Sequence, residues 1–178
     1  METGQHDGVK IRMICAKDGY KYYWRVIDYL QRDAKKQGIL RGVDNFSGFW
    51  HNIGAITDNI NRVYIALDTR NRVAGYMVAV HLGHICTYDE PHIDIIEVLP
   101  QFRFRGVGTA MMRWAFEQVM EQDGNKLSLD PLRGKEGFFT KLGFVKTERN
   151  GSGKYLITFP KPATDEDVDD DLISADLQ

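Results

Sequence analysis

Apolar positions alternate with polar ones over short stretches of this chain and recur every three or four residues over longer ones. The first pattern predicts strands and the second predicts helices. The predicted strands cover 9–16, 62–68, 73–82, 93–98, 126–129, 144–148 and 155–159. The predicted helices cover 17–37, 109–120 and 134–142, and the irregular segment 42–61 has room for one more short helix. The resulting order, β-α-(α)-β-β-β-α-β-α-β-β, predicts an α/β protein.

One segment, 92–118, joins a strand to a helix through a basic turn. The strand is rich in β-branched residues and stops at Pro100, which cannot donate to a ladder. The turn reads Arg103-Phe104-Arg105-Gly106-Val107-Gly108 and leads straight into a helix. Glycine lets the backbone approach a ligand closely, and the first turn of a helix has unpaired N–H groups. The segment therefore predicts a site for a phosphate-bearing cofactor.

This turn resembles the acetyl-CoA-binding motif Q/R-x-x-G-x-G/A of the GCN5-related N-acetyltransferases (GNAT). Arg103, Gly106 and Gly108 occupy its specified positions. Residues 137–144, GFFTKLGF, look like the late helix and the F-Y-x-K-x-G-F ending of the same family. The resemblance covers 93–144. It implies a mixed, mostly antiparallel sheet flanked by helices and an acetyl-CoA-dependent N-acetyltransferase with no metal.

By the same resemblance, the strand backbone from Ile96 to Val98 would pair with the pantetheine arm. The amides from Arg105 to Thr109 would hold the pyrophosphate, helped by the helix dipole. Arg103 and Arg105 would be counter-charges. The full set implied for acetyl-CoA is Ile96, Val98, Arg103, Phe104, Arg105, Gly106, Val107, Gly108, Thr109 and Phe139.

Acetyl transfer to an amine needs a group that accepts a proton from that amine. Two acids on the central strand, Asp94 and Glu97, are the candidates. They point to opposite faces unless a bulge intervenes. We favour Asp94 as a base acting through water, with a surface role as the alternative. Glu97 would otherwise be a structural or rim acid, and His92 is the reserve base.

The general acid is where the chain departs from the family pattern. Many members place a tyrosine at the position of Phe139, and phenylalanine has no proton to give to the leaving thiolate. Tyr88 and Tyr155 are candidate substitutes. The missing tyrosine also supports an alternative function, an acyl-CoA-binding sensor or interaction module with weak catalysis.

The acidic approach to the central strand suggests the acceptor. Asp89, Glu90 and Asp94 lie within six positions, which favours a cationic amine such as a protein lysine or a polyamine. A solvated loop is the alternative interpretation of the same residues.

Charge and composition set the remaining expectations. The net charge is −2, and residues 160–178 carry seven acids and one lysine, so residues 1–159 are left with +4. We expect a domain over 1–159 and a disordered acidic tail over 160–178. A charge of +4 is too small to indicate nucleic-acid binding. The histidines and two cysteines lack metal-site spacing. No apolar run suits a membrane or an export signal, so we expect a cytoplasmic protein, and a homodimer is compatible with the sequence.

Overall fold

The computed structural model describes residues 10–36, 62–82, 90–147 and 154–158. Its strands are β1 (Ile11–Cys15), β2 (Val63–Asp68), β3 (Val73–Val80), β4 (His92–Val98), β5 (Lys126–Leu129), β6 (Val145–Lys146) and β7 (Tyr155–Thr158). Its α-helices are α1 (Tyr20–Lys36), α2 (Val107–Met120) and α3 (Glu136–Lys141). Each of these elements was predicted from the sequence. The short helix considered within 42–61 and the acidic tail lie outside the described residues.

The strands form one seven-stranded sheet in the order β1-β2-β3-β4-β5-β7-β6. All neighbours are antiparallel except β4 and β5, which run parallel. This confirms the mixed, mostly antiparallel sheet that the resemblance implied. The helix α2 connects β4 to β5, as a parallel pair requires.

The centre of the sheet is covered on both faces. Every residue of β2 and nearly every residue of β3 is buried, which is the pattern of a strand with helices on both sides. On α1 the buried side chains are Tyr22, Tyr23, Val26, Ile27 and Leu30. On α2 they are Val107, Met111, Met112, Ala115 and Val119. These two apolar faces fix the helices against the sheet, and α2 in turn fixes the turn before it.

The β2–β3 hairpin is held by an acid at its entry. The Asp68 carboxylate accepts hydrogen bonds from the backbone N–H groups of Arg70 and Arg72, at 2.9 and 2.8 Å. The Arg72 guanidinium adds a bond of 2.7 Å from Nε. Asn71 takes the left-handed conformation, with φ of 56°, which asparagine tolerates well. This tight turn sets the register of β3, the strand that supports β4.

Candidate active site

Among the described residues, the edge of β4 that faces β5 has no strand partner over most of its length. β4 pairs with β3 from His92 to Val98, but it pairs with β5 only through His92 and Ile93. β5 ends at Leu129, two residues before Pro131, and proline cannot continue a ladder. The two parallel strands therefore separate after Ile93 and leave a cleft beside the second half of β4.

Backbone groups of β4 point into this cleft. Leu99 N–H donates to Ala74 O on β3, at 2.9 Å. Because the backbone groups of successive residues point to opposite sides of a strand, those of Ile96 and Val98 point away from β3. These are the two strand residues for which the resemblance implies contact with the pantetheine arm. An extended amide-bearing chain fits beside them as an added strand.

The turn after β4 exposes the first N–H groups of α2. Gly106 is the N-cap of this helix, with φ of 79°, and Phe104 is also left-handed, with φ of 59°. Phe104 is fully exposed, and Arg105 is exposed beside it. Since the first N–H groups of a helix have no partner within it, the turn offers donors and a positive dipole end to an anion.

Gly108 lets the start of α2 approach its neighbours closely. A Cβ at this position would lie 3.3 Å from Cζ of Phe138 and 3.5 Å from Cγ2 of Val98. The helix α3 is thereby brought beside the turn. The Phe139 ring is buried and packs against Phe138 and Phe144, with ring centroids 5.0 and 6.0 Å apart. The open strand edge, the exposed helix terminus and this close packing together fit a nucleotide-bearing thioester such as acetyl-CoA.

Arg103 is bound back to β4. Its Nε donates to Val98 O at 3.0 Å, and its Nη2 lies 2.7 Å from Oε1 of Glu97. Glu97 therefore contacts the turn through Arg103, which fits the structural role that the sequence left open for it. Arg105, which is also exposed, is the other cation of this turn.

Asp94 lies at a bulge, at the point where β4 and β5 separate. Val78 is opposite Ile95 and Ala79 is opposite Ile93, so Asp94 is an extra residue on β4. Its Oδ2 lies 3.0 Å from Nη2 of Arg62. Its side chain is 34% exposed, so solvent reaches the carboxylate. The two candidate acids, Asp94 and Glu97, thus have different partners and do not form a pair.

The reserve base, His92, belongs to a small polar cluster with Asp94. His92 Nε2 lies 3.8 Å from Oδ1 of Asp94. On its other side, His92 Nδ1 lies 2.9 Å from Oγ of Ser128, whose hydroxyl also reaches Pro91 O at 3.2 Å. Ser128 is fully buried. Sequence reasoning missed both Ser128 and Arg62; a single serine within an apolar strand was the one available signal for the first.

Glu90 lies beside this cluster and carries a charge of its own. Burial acts to raise the pKa of Glu90, but hydrogen bonds from Ser128 and Lys154 and the charges of Lys154 and Lys126 hold it below its ordinary value. Lys154 Nζ lies 3.0 Å from Oε1 of Glu90. Glu90 is thus an ionised, paired acid. Its predicted companion Asp89 lies outside the described residues.

One of the two tyrosines proposed as general acids, Tyr155, is half-buried on β7, opposite Leu129 of β5. The other, Tyr88, lies outside the described residues.

Within the described ranges, no three histidine, cysteine, aspartate or glutamate side chains come together as a metal site. No helix in these ranges has the length and apolar character needed to cross a membrane.

Comparison with known families matches residues 23–144 to the family described as "Acetyltransferase (GNAT) family". A search of curated proteins gives no sequence match.

Solved structures show the same fold at low sequence identity. Tetrahymena GCN5 has a TM-score of 0.62 at 14% identity, over 87% of this chain and 99% of that one. PaiA N-acetyltransferase from Thermoplasma acidophilum, in complex with coenzyme A, has a TM-score of 0.62 at 12% identity, over 85% and 99%. A GNAT-family acetyltransferase from Staphylococcus aureus Mu50 has a TM-score of 0.61 at 13% identity, over 85% and 100%.

Proposed function

Because the chain belongs to the GNAT acetyltransferase family, and so is an acetyl-CoA-dependent N-acetyltransferase, we propose that its acceptor is a cationic primary amine, either a protein lysine side chain or a small polyamine. The observation that carries this proposal is the position of Asp94, a partly exposed carboxylate at the bulge where β4 and β5 separate. A carboxylate at this point attracts an ammonium group and accepts its proton.

In the proposed arrangement, acetyl-CoA supplies the thioester acetyl group from the cleft beside β4. The backbone of Ile96 and Val98 would hold its pantetheine arm. The amides of 105–109, with the exposed Arg105, would hold the pyrophosphate, and Phe104 would contact the nucleotide end. Phe139 would support this site from beneath through its contact with Phe138, whose ring lies against Gly108.

Arg103 and Glu97 would act together on the cofactor side. The ion pair of 2.7 Å ties the turn to β4, which keeps the helix terminus at a fixed distance from the open edge. Glu97 would then be a positioning residue for the turn. The base role falls to Asp94, with His92 beside it.

Arg62 would orient Asp94 without blocking it. The guanidinium contacts Oδ2, so Oδ1 is the oxygen turned toward His92. A water on that side could carry the proton from the amine to the carboxylate. We extend the proposal to the domain limits, with residues 1–159 sufficient for catalysis and 160–178 a separate acidic tail.

The test is a steady-state assay of thiol release from acetyl-CoA with a panel of amines. We expect a lysine peptide or spermidine to exceed an arylamine, which is neutral at pH 7, by at least about tenfold in kcat/KM. The preference should weaken as salt rises, because charge attraction is screened over about 8 Å at physiological ionic strength. Equal reaction of the arylamine at low salt would rule out the cationic acceptor.

The same assay tests the base. Asp94→Asn should lower kcat by roughly 10²–10⁴-fold while leaving the KM for acetyl-CoA unchanged. Asp28→Asn is the matched control, since it also removes an exposed aspartate–arginine pair, that of Asp28 with Arg32 on α1. Normal turnover with a normal pH profile in the Asp94 variant would transfer the role to His92 or Glu97. A chain of residues 1–159 should give the same kcat.

A further inference from the structure

The buried hydroxyl of Ser128 determines which nitrogen of His92 carries the proton. The Ser128 side chain is fully buried in β5. Its oxygen makes two hydrogen-bond contacts: Pro91 O at 3.2 Å and His92 Nδ1 at 2.9 Å. A hydroxyl has one proton to donate and two lone pairs to accept with.

The first of these partners can only accept, because Pro91 O is a backbone carbonyl. The single hydroxyl proton of Ser128 therefore goes to Pro91 O. The remaining contact, His92 Nδ1, must be a donor, because a serine oxygen whose proton is used elsewhere can only accept from it. A neutral His92 thus carries its proton on Nδ1 and presents a lone pair at Nε2.

That lone pair faces another acceptor. His92 Nε2 lies 3.8 Å from Oδ1 of Asp94, while the other oxygen of Asp94 is held by Arg62 at 3.0 Å. In this tautomer no proton lies between Nε2 and Oδ1. Two acceptors at this separation suit a donor with several N–H bonds, and an ammonium group has three.

We propose that Ser128 is a positioning residue that fixes the Nδ1–H tautomer of His92, so that Nε2 and Asp94 Oδ1 together bind the ammonium of the acceptor amine. The tautomer follows from the hydrogen bonds around Ser128 alone. The role in binding the amine rests on the proposed function. The pair accepts two hydrogen bonds from the ammonium, and either member is then placed to take its proton.

The charged groups around His92 are mixed in sign. Asp94 and Arg62 lie on its Nε2 side. On the Ser128 side lie Glu90 and Lys154, with the charge of Lys126 also acting on Glu90. Each side of His92 therefore holds an acid and a base, so no single charge decides which nitrogen is protonated. The hydrogen bond to the Ser128 hydroxyl decides it.

The first experiment reads the tautomer directly, by ¹⁵N NMR of the imidazole nitrogens in the full chain labelled at histidine. The His92 signals are assigned by their loss in His92→Gln. When the His92 ring is neutral, we expect a protonated Nδ1 and an unprotonated Nε2. A protonated Nε2 in the native protein would overturn the tautomer assignment, and this outcome is independent of any substrate.

The second experiment tests the consequence for catalysis. Ser128→Ala removes the acceptor for Nδ1–H, so we expect the proton to shift to Nε2, where it can donate to Asp94. The KM for the amine should then rise about tenfold, which equals about 1.4 kcal/mol, while the KM for acetyl-CoA stays the same.

Ser128→Thr keeps the hydroxyl and serves as the control; it should restore both the tautomer and the KM. If Ser128→Ala changes the tautomer and leaves the amine KM unchanged, the amine-binding role is wrong although the tautomer is right. If Ser128→Ala does not fold, the NMR spectrum of the native protein still decides the tautomer.

Discussion

Two glycines of this chain have nearly the same local structure, yet only one of them lies in the turn that we propose to bind acetyl-CoA. Gly106 has φ of 79° and Gly134 has φ of 83°, and in both a Cβ would meet no atom within 4 Å. Gly106 caps α2, whereas Gly134 lies in the loop between β5 and α3. Alanine at either site is therefore strained by its backbone conformation alone, and the pair Gly106→Ala and Gly134→Ala separates stability from binding.

The expected loss of stability is small and equal for the two variants. The left-handed conformation costs an alanine about 1–2 kcal/mol. The lower entropy of the unfolded chain returns about 0.4–1 kcal/mol. A net loss of about 1 kcal/mol lowers Tm by about 2–4 °C in a chain of this size. Thermal unfolding should show this shift in both variants.

The expected loss of binding is large for Gly106 alone. A methyl group on the N-cap would stand where a phosphate approaches the first amides of α2. Loss of one hydrogen bond to a charged group costs about 1.5–3 kcal/mol, or about 10- to 150-fold in Kd. Calorimetry with CoA should therefore show weaker binding for Gly106→Ala and native binding for Gly134→Ala. Native affinity in the Gly106 variant would mean that the phosphates bind elsewhere.

Two further predictions concern pH and stability. Burial raises the pKa of Tyr64 to about 12, so the Tyr64 hydroxyl loses its proton at a lower pH in the unfolded chain than in the folded protein. Stability should therefore fall as pH rises from about 10 to 12. Tyr64→Phe removes the hydrogen bond to Leu82 O; its Tm should be lower than native at pH 8, with a gap that narrows toward pH 12. Although burial opposes it, hydrogen bonds from Arg72 hold the pKa of Asp68 below its ordinary value, so its stabilisation is present above about pH 4 and lost as pH falls further. Asp68→Asn should lower Tm at pH 7, and a gap that stays constant down to pH 2 would contradict this.

The strand, turn and helix that we propose to bind acetyl-CoA could be predicted as elements because they are continuous in sequence. A β-branched strand, a glycine turn and an apolar helix follow one another within 92–118, and local preferences determine each of them. The open edge of β4 also has a local cause, since Pro131 ends β5. What the sequence could not specify is the parallel pairing of β4 with β5 through only His92 and Ile93.

The polar partners of Asp94 could not be predicted, because they come from distant parts of the chain. Arg62 is 32 residues away in sequence and reaches Asp94 only after β2, β3 and β4 have paired. Ser128 is 36 residues from His92. The bulge at Asp94 could not be predicted from the sequence either, since a run of β-branched residues pairs well in either register. The side-chain partners of Asp94 and His92 therefore depend on long-range strand pairing, which the local sequence pattern does not specify.

The strand β4 carries residues of both proposed sites, the amine site at its start and the cofactor site at its end. The first two residues of β4, His92 and Ile93, pair with β5. The His92 side chain therefore contacts the buried Ser128. From Asp94 onward this edge has no strand partner among the described residues. The backbone of Ile96 and the N–H of Val98 point to this edge, while Val98 O already accepts from Arg103. The bulge lies at the boundary between these two parts. Because Asp94 lies on the bulge and the edge without a strand partner follows it, the proposed amine site and the proposed cofactor site would adjoin at Asp94.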